Sequence, residues 1–325
     1  HGGVLPRSKR FLYASGVHCP LVIRIPEKFK ALWPAAKPGT TVDRIVSFVD
    51  MPKTWLSLAG AEIPDTFQGT VFLGKGTEPE PKYHLSFRER ADERLDHVRM
   101  IRDKRYAYHK NYMPYAPAGQ HLAYLWKAQA APAWEKHHRE GKTDAITGRF
   151  FRPRVSEEFY DNEKDFDNVH NLIDAKEHQA KIAEMRRAMR EMQLKLRDSG
   201  LLPEKMRERR AAANNVTIYE MVRDPKLYPL EAYLDAADRT LARDKANLQT
   251  FVKALRPETL LVSIMHANNE TGVIFPVEDL SRLTKETDPG IVFHTDATQT
   301  VGKLPIDVKG NFRHVDLLSF SGHKM

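Results

Sequence analysis

The stretch FVKALRPETLL, Phe251–Leu261, separates two parts of the chain whose hydrophobic patterns differ. Upstream, the residues LEAYLDAADRTLARDKANLQTFVKAL predict a long helical stretch that ends at Arg256-Pro257, because proline cannot continue a helix. Downstream, continuous apolar runs alternate with a helical pattern, which is typical of buried strands joined by helices. We therefore predict that Phe251–Leu261 is the junction between two regions of different origin.

Three apolar runs follow the junction. Leu260–Met265, Ile291–His294 and Val315–Phe320 read as strands buried on both faces, and Val277–Thr287 has the period of a helix. Strands that alternate with helices predict a parallel sheet, and functional groups then gather just past the carboxyl ends of the strands.

Polar motifs follow each of these strands: SIMHANNETG, FHTDATQTVGKLPID and SFSGHK, in this order. Together they resemble the cysteine desulfurases of the pyridoxal-phosphate-dependent class-V aminotransferase group. The resemblance implies that Lys324 forms the Schiff base with pyridoxal 5'-phosphate (PLP). Asp296 would pair with the pyridine nitrogen, so that the ring can act as an electron sink, and Gln299 would hydrogen-bond the ring oxygen.

The same resemblance gives roles to three further residues. Ser321 and His323 would contact the cofactor phosphate, and Asn269 would lie near the ring oxygen and the substrate carboxylate. As alternatives, Asp296 could cap a helix and Lys324 could be a surface lysine. The family places its catalytic cysteine and substrate arginine well downstream of the lysine, so we expect sulfur transfer to be incomplete in these residues.

Upstream of the junction, the pattern predicts a short strand at Leu21–Pro26 and a helix within Val46–Asp65, with Asp50 as its N-cap and Gly60 at its end. Tyr83–Tyr112 reads as two antiparallel strands. The residues EEFYDNEKDFDNVHNLID, 157–174, read as a strand followed by a turn.

These segments together resemble the sulfatase family, over about His1 to Leu255. The carrying stretches are HGG at the start, KRFLYASGVHCPLVIRIP, SFVDMPKTWLSLAGAEIPD, IRDKRYAYHKNY and the 157–174 segment. The resemblance implies an alkaline-phosphatase-like core followed by a C-terminal antiparallel subdomain. It implies that His1 ligates a divalent cation, usually calcium, and that Lys9 contacts the sulfate, with His18 at a second polar position.

As alternatives, His1 and Lys9 could be ordinary surface residues, because a lone His or Lys is most often exposed. A metal and a lysine do suit a sulfate ester, whose oxygens gain charge as the S–O bond breaks. The family's nucleophile, however, is a formylglycine made in Cys/Ser-x-Pro-x-Arg, and the sequence contains no such motif. The only cysteine, Cys19, is predicted to be a small buried hydrophobe and leaves no internal disulfide.

Composition limits the class of protein. The 325 residues are 41% hydrophobic and 29% charged, which is ordinary for a globular chain of about two domains. No apolar run is long enough to span a bilayer, so we expect no membrane partner. Residue 1 is His, so we expect missing sequence before it, and the absence of a signal peptide does not decide the compartment.

The net charge is +8, and much of the excess lies within Lys176–Arg210. This segment could bind nucleic acid. However, Ile182, Met185 and Met189 recur at helical spacing, as do Met192 and Leu196. We therefore predict an amphipathic helix with a solvated basic face and no nucleic-acid partner.

The predicted fold class is α/β: a partial alkaline-phosphatase-like sulfatase fold with an antiparallel subdomain and helices, followed by a partial fold-type-I PLP-dependent transferase segment. The predicted limits are 1–82, 83–175, 176–255 and 256–325. Three hypotheses follow: a sulfatase fragment acting on a sulfate ester, a desulfurase fragment acting on cysteine, or a non-catalytic chimeric remnant. The sulfatase part favours export and the desulfurase part the cytoplasm.

Overall fold

The chain forms two compact units, unit 1 (His1–Leu230) and unit 2 (Glu231–Met325). The structure is a computed structural model that describes residues 10–90, 93–241, 245–267 and 274–322. Unit 1 contains an antiparallel sheet and unit 2 a parallel sheet, with helices in both, so the predicted mixed α/β class is confirmed. Within the ranges described, no helix has both the length and the apolar character needed to cross a membrane.

Unit 1 contains one β-sheet, and helices precede and follow its strands in the sequence. Its strands are β1 (His84–Arg88), β2 (Val98–Arg102), β3 (Tyr106–Asn111) and β4 (Glu157–Asp161). Its helices are α1 (Ala14–Val17), α2 (Asp50–Ala59), α3 (Ala123–Trp126), α4 (Ala130–Arg139), α5 (Gln179–Leu196), α6 (Glu204–Ala213) and α7 (Ile218–Arg223). Short 3-10 helices cover Glu27–Leu32, Thr147–Phe151, Lys176–His178 and Ser199–Leu201.

The sheet of unit 1 has the order β1-β2-β3-β4, and every neighbouring pair is antiparallel. The sequence predicted two strands between Tyr83 and Tyr112, and this was wrong because that range holds three. The turn at Asp103 makes the difference. Its carboxylate accepts the backbone N–H groups of Arg105 at 2.9 Å and Tyr106 at 2.6 Å, which reverses the chain between β2 and β3.

Helix α5 packs on this sheet. Ile182, Met185 and Met189, which are almost fully buried, form one core cluster with Ile101 and Tyr108, together with Phe159. The predicted amphipathic helix is therefore confirmed, and its three-to-four-residue spacing is what places these side chains on one face.

A charged network is buried at the edge of this core. The guanidinium of Arg99, whose side chain is only 2% exposed, donates to Asp198 at 2.7 Å and to Glu89 at 2.5 Å. Burial alone would raise the pKa of Asp198, but Arg99 outweighs it and lowers that pKa to about 2. His97 stacks on Tyr112 at 4.5 Å, and burial together with Arg99 lowers the pKa of His97 to about 3.

The helix predicted within Val46–Asp65 is the shorter α2. It ends at Gly60, which adopts the left-handed conformation with φ 65°, as predicted. The predicted N-cap was wrong by one residue, because Val49 is the N-cap and Asp50 is the first residue of α2. The carboxylate of Asp50 instead accepts the backbone N–H groups of Ser47 and Thr70, both at 2.7 Å. A β-carbon at Gly69, whose φ is 89°, would lie 2.6 Å from the carbonyl oxygen of Val49, so only glycine lets the loop approach this closely.

Two predictions about the segment before α2 were wrong. Leu21–Pro26 forms no strand, and Val22 is 93% exposed. An apolar run becomes a strand only when another strand pairs with it, and among the described residues none pairs with this run. Cys19 is exposed rather than buried, because it lies in the same irregular segment.

Unit 2 alternates helices and strands. Helix α8 (Leu230–Leu241) begins at the last residue of unit 1 and continues into unit 2. The remaining elements are α9 (Lys245–Ala254), β5 (Leu261–Met265), α10 (Val277–Thr287), β6 (Val292–Asp296) and β7 (Leu317–Ser319). The strand order is β5-β6-β7 with parallel pairing, which confirms the predicted parallel sheet.

One face of this parallel sheet is covered. Val262 and Phe293 lie in a core cluster with Val277 and Leu280 from α10, and Phe251 and Leu255 pack against the same cluster. The stretch predicted to be the junction therefore contributes side chains to the core of unit 2.

The opposite face of the sheet stays open to solvent. Leu261 is 55% exposed, Met265 41% and Leu317 54%. The prediction that these strands are buried on both faces was therefore wrong within the described part of the chain. An apolar run does not by itself say which other elements are present to cover it.

Candidate functional site

The carboxyl ends of the three parallel strands meet at one edge of the sheet of unit 2. In the register, Asp296 lies opposite Met265 of β5 and Ser319 of β7. The backbone N–H of His266 donates to the carbonyl of Asp296 at 2.8 Å, and that of Ala297 donates to Ser319 at 2.8 Å. The ladder thus continues one residue past each strand and holds the first residues of the polar motifs side by side.

Of the predicted cofactor-binding residues, the structure describes Asp296, Gln299 and Ser321. Asp296 is the last residue of β6 and is exposed, and its Oδ1 accepts the backbone N–H of Thr298 at 2.8 Å. Gln299 is partly buried in the following turn, and Ser321 lies just beyond β7. The predicted residues Asn269, His323 and Lys324 lie outside the described residues.

A histidine that the sequence reasoning did not single out fixes the loop after β6. His266 is only 7% exposed, its Nδ1 lies 2.8 Å from Thr300 Oγ1, and its ring lies 4.9 Å from that of Phe312. Burial lowers the pKa of His266, so the imidazole is held neutral. Its role is to tie the end of β5 to the turn that carries Gln299.

A second polar group was also missed. On the open face of the sheet, His294 bridges two hydroxyls: its Nδ1 lies 2.8 Å from Ser263 Oγ and its Nε2 lies 3.0 Å from Ser319 Oγ. The signal was present as alternation along each strand, because residues two apart share a face. This row crosses all three strands and fixes the rotamer of His294.

The residues at the sheet edge have the chemistry that the ring of PLP requires. A carboxylate at Asp296 suits a protonated pyridine nitrogen, the amide of Gln299 can donate to a ring oxygen, and the hydroxyl of Ser321 can donate to a phosphate oxygen. The edge is also where ligands bind in open parallel sheets. The fit therefore covers both the ring and the phosphate end of the cofactor.

In unit 1 the two predicted sulfatase-site residues, His1 and Lys9, lie outside the described residues. The segment that follows Lys9 is anchored firmly. The backbone N–H of Ala14 donates to Asn168 Oδ1 at 2.8 Å. His18 is exposed, and its ring lies 5.7 Å from that of Phe166.

Metal ligands are not clustered in the ranges that the structure covers. No group of three or more His, Cys, Asp or Glu side chains there has an arrangement that could hold a metal ion. The DMPKT segment of α2 belongs to the stretches that resemble the sulfatases. In the structure its lysine stabilises the fold, because Lys53 forms an ion pair with Glu78 at 3.0 Å. A hydrogen bond from Val71 and the charge of Lys53 lower the pKa of Glu78.

Two protein-family models match separate parts of the chain. Residues 7–116 match the C-terminal region of N-sulphoglucosamine sulphohydrolase. Residues 238–325 match class-V aminotransferases. Both predicted resemblances are confirmed, and the second match begins before Phe251.

Curated proteins show the same division. The chain is 33% identical over 207 residues to the ulvan-active sulfatase of Formosa agariphila, covering 63% of this chain and 33% of that protein. It is 56% identical over 72 residues to the cysteine desulfurase IscS of Anaeromyxobacter sp. (strain K), covering 22% of this chain and 17% of that protein. The chain thus spans a third or less of the length of either relative.

Two solved structures are similar to parts of the chain. A NifS-like protein is 45% identical over 24% of this chain and 20% of its own, with a TM-score of 0.22. A sulfatase-type structure from Bacteroides thetaiotaomicron is 20% identical over 46% of this chain and 25% of its own, with a TM-score of 0.30.

Proposed function

We propose that this chain, in which part of a sulfatase is joined to part of a cysteine desulfurase, binds PLP at the carboxyl edge of the parallel sheet and completes neither family's reaction by itself. The observation that carries the proposal is the register of β5, β6 and β7, which brings Asp296 beside the chain segment that leads to Ser321. Asp296 and Gln299 would hold the ring, and Ser321 and His323 the phosphate. Lys324 would carry the cofactor, and Asn269 would face the substrate.

The position of Asp296 supports its part in this proposal. A carboxylate near the pyridine nitrogen keeps that nitrogen protonated, and the bound cofactor then supplies an electron sink. The hydrogen bond from Thr298 N–H to Oδ1 fixes the carboxylate at the strand end. The bond between His266 and Thr300 fixes the turn that follows. The Asp296 carboxylate and the turn after it are thus oriented before a ligand binds, which reduces the conformational entropy lost on binding.

The residues needed to complete either reaction are not among the 325. Sulfur transfer requires a cysteine thiolate, and the only cysteine is Cys19, in unit 1. Sulfate ester hydrolysis by the sulfatase route requires a Cys/Ser-x-Pro-x-Arg motif, which the sequence does not contain. The function supported best is therefore cofactor binding without turnover of cysteine or of a sulfate ester.

Titration of the purified chain with PLP tests the proposal. We expect a visible absorbance band from bound cofactor, and Lys324→Ala should remove it. Lys309→Ala, which changes an exposed lysine of the same unit, is the matched control and should keep the band. Asp296→Asn should weaken binding about tenfold, the loss of one charged hydrogen bond. An unchanged band in Lys324→Ala would reject the assignment.

Sulfate ester hydrolysis is the second candidate, favoured by the identity that extends over 63% of the chain. In that case His1 would bind calcium or another divalent cation and Lys9 the sulfate. Release of nitrophenol from an aryl sulfate, with and without added calcium, measures it. We expect no turnover, and turnover that disappears in Lys9→Ala would make this candidate the better one.

A further inference from the structure

The open face of the parallel sheet in unit 2 presents a serine, a histidine and a second serine in one hydrogen-bonded row. His294 Nδ1 lies 2.8 Å from Ser263 Oγ, and its Nε2 lies 3.0 Å from Ser319 Oγ. Both serines are exposed, and His294 is half-buried. Enzymes activate a serine hydroxyl with the same three parts: the nucleophile, a base in contact with it, and a third group that orients the base.

A purely structural role explains this row less well. A hydrogen bond between neutral groups contributes about 1 kcal/mol to stability, and at an exposed position water competes for the same donors and acceptors. The neighbouring Thr295 has the features of a structural group, because it is fully buried and its hydroxyl donates to the carbonyl of Ile264 at 2.8 Å. The row through His294 instead leaves two hydroxyl groups accessible to a ligand.

The backbone of β5 gives Ser263 a further donor. The N–H of Val292 donates to the carbonyl of Leu260 at 3.0 Å, and the N–H of His266 donates to that of Asp296 at 2.8 Å. The ladder with β6 therefore uses the even-numbered residues of β5, and the N–H of Ser263 points away from β6. In the ranges that the structure describes, β5 is an edge strand and no acceptor takes this N–H.

This donor distinguishes the two serines. Attack on an ester carbonyl generates an oxyanion, and a backbone N–H of the nucleophile itself can stabilise it. The backbone of Ser319 belongs to the ladder instead, because its carbonyl accepts the N–H of Ala297 at 2.8 Å. Ser263 therefore combines a base 2.8 Å from its hydroxyl with a free backbone donor, whereas Ser319 lies where it can orient the imidazole.

The surroundings of Ser263 indicate the kind of substrate. Residues two apart in a strand share a face, so Leu261 and Met265 lie on either side of Ser263, at 55% and 41% exposure. Neither β5 nor β7 contains a charged residue. A neutral ester with an apolar acyl group fits this surface, because contact with Leu261 and Met265 removes the acyl chain from water.

We propose that Ser263 is the nucleophile of a site that hydrolyses activated carboxylic esters with apolar acyl groups. Its Oγ attacks the carbonyl carbon while the hydroxyl proton passes to His294 Nδ1. The bond to the leaving oxygen then breaks, and that oxygen takes the proton from the imidazolium. Water attacks the acyl-serine with His294 again as the base, which releases the carboxylic acid and restores the hydroxyl. Throughout, His294 Nε2–H donates to Ser319 Oγ, so Ser319 is a positioning residue.

An alkyl fluorophosphonate tests for an activated serine, because the serine oxygen displaces fluoride from phosphorus and the adduct is stable. We expect mass spectrometry of peptides from the labelled full chain to place the adduct on Ser263. His294→Gln removes the base and should slow labelling about 100-fold. His137→Gln, which changes an exposed histidine on α4, is the matched control and should label at the unchanged rate.

Release of nitrophenol from p-nitrophenyl butyrate measures turnover and the part of Ser319. Ser319→Ala should lower kcat about tenfold, the loss of one hydrogen bond to the base, and Ser319→Thr, which keeps the hydroxyl, should retain the original kcat. Ser263→Ala should abolish both labelling and turnover. Hydrogen exchange of the β5 and β6 amides verifies that each variant is folded.

Three results would overturn the proposal: no adduct at all, an adduct on Ser319 or elsewhere in place of Ser263, or an unchanged labelling rate in folded His294→Gln. The reaction uses no cofactor and none of the residues assigned to PLP. Its failure would therefore leave the proposed cofactor binding intact, and loss of PLP binding in Lys324→Ala would leave this site intact.

Discussion

The two sheets of this chain differ in whether their polar groups are buried or exposed. The antiparallel sheet of unit 1 buries ionic groups, and Arg99 sits 2% exposed between Asp198 and Glu89. The parallel sheet of unit 2 carries His294 and its two serine partners on a face that also exposes Leu261. The comparison teaches that the sheet of unit 1 encloses a paired ion network around Arg99, whereas the sheet of unit 2 has one of its two faces covered by the described residues.

The largest effect is expected from the buried ion network of unit 1. Arg99→Met leaves Asp198 and Glu89 without their shared cation in a buried setting. Loss of one partner of such a network costs about 4 kcal/mol. Urea unfolding followed by the near-ultraviolet circular dichroism of the tyrosines measures the change.

Arg139→Met is the matched control for that experiment. Arg139 is 75% exposed and pairs with Glu135 at 2.6 Å within α4. We expect a change within about 0.5 kcal/mol, as for other exposed pairs. An equal loss of unfolding free energy in the two variants would show that the buried network of Arg99 contributes no more than an exposed ion pair. The comparison between the two units would then be wrong.

A somewhat smaller effect is expected in the covered half of unit 2. Phe293 is fully buried between the sheet and α10, so Phe293→Ala should cost about 3 kcal/mol. Phe320→Ala is the control, because Phe320 is 51% exposed. Hydrogen exchange of the β5 and β6 amides reports on unit 2 alone. Faster exchange in both variants alike would contradict one-sided burial.

The pH dependence of unit 1 should show an effect of about 1 kcal/mol. His97 has a folded pKa of about 3 against an ordinary value of 6.5. Between these values the unfolded chain binds the proton and the folded chain does not, so stability falls as the pH drops below 6.5. His97→Phe keeps the stacking on Tyr112 and should flatten the decline between pH 6.5 and 5.5, where His97 accounts for about 1 kcal/mol. An unchanged slope would show that another group titrates.

The smallest effect is expected on the open face of the parallel sheet. Leu317 is 54% exposed, so Leu317→Ser should change the stability by less than about 0.5 kcal/mol while reducing self-association in sedimentation experiments. Val308→Ser, at a position 65% exposed and outside the strands, is the control. Identical self-association of the two variants would mean that the open face does not mediate self-association.

Local patterns predicted most of the elements. Helix α10 has the predicted limits, Val277–Thr287, because its period and the preceding Pro276 are local signals. The strand predicted at Leu21–Pro26 and the burial of Cys19 were wrong, since both depend on whether other parts of the chain pack against them. Burial and strand pairing are long-range properties.

The candidate cofactor site shows the same limit. Asp296 was predicted at a strand end because its motif follows an apolar run, and the structure places it there. The contact between His266 and Thr300 joins residues 34 positions apart, and no spacing rule in one sequence connects them. The row of Ser263, His294 and Ser319 depends on the register of three parallel strands, which the sequence does not specify.

The close approach at Gly69 has a consequence for how this chain can vary. A β-carbon there would lie within 2.7 Å of Asp50 Oδ1, whereas one at Gly39 meets nothing within 4 Å. In a saturation library screened for folded chains, every codon other than glycine should be depleted at position 69, whereas asparagine should survive at position 39. The substitutions that this loop tolerates are therefore limited by the start of the neighbouring helix, α2.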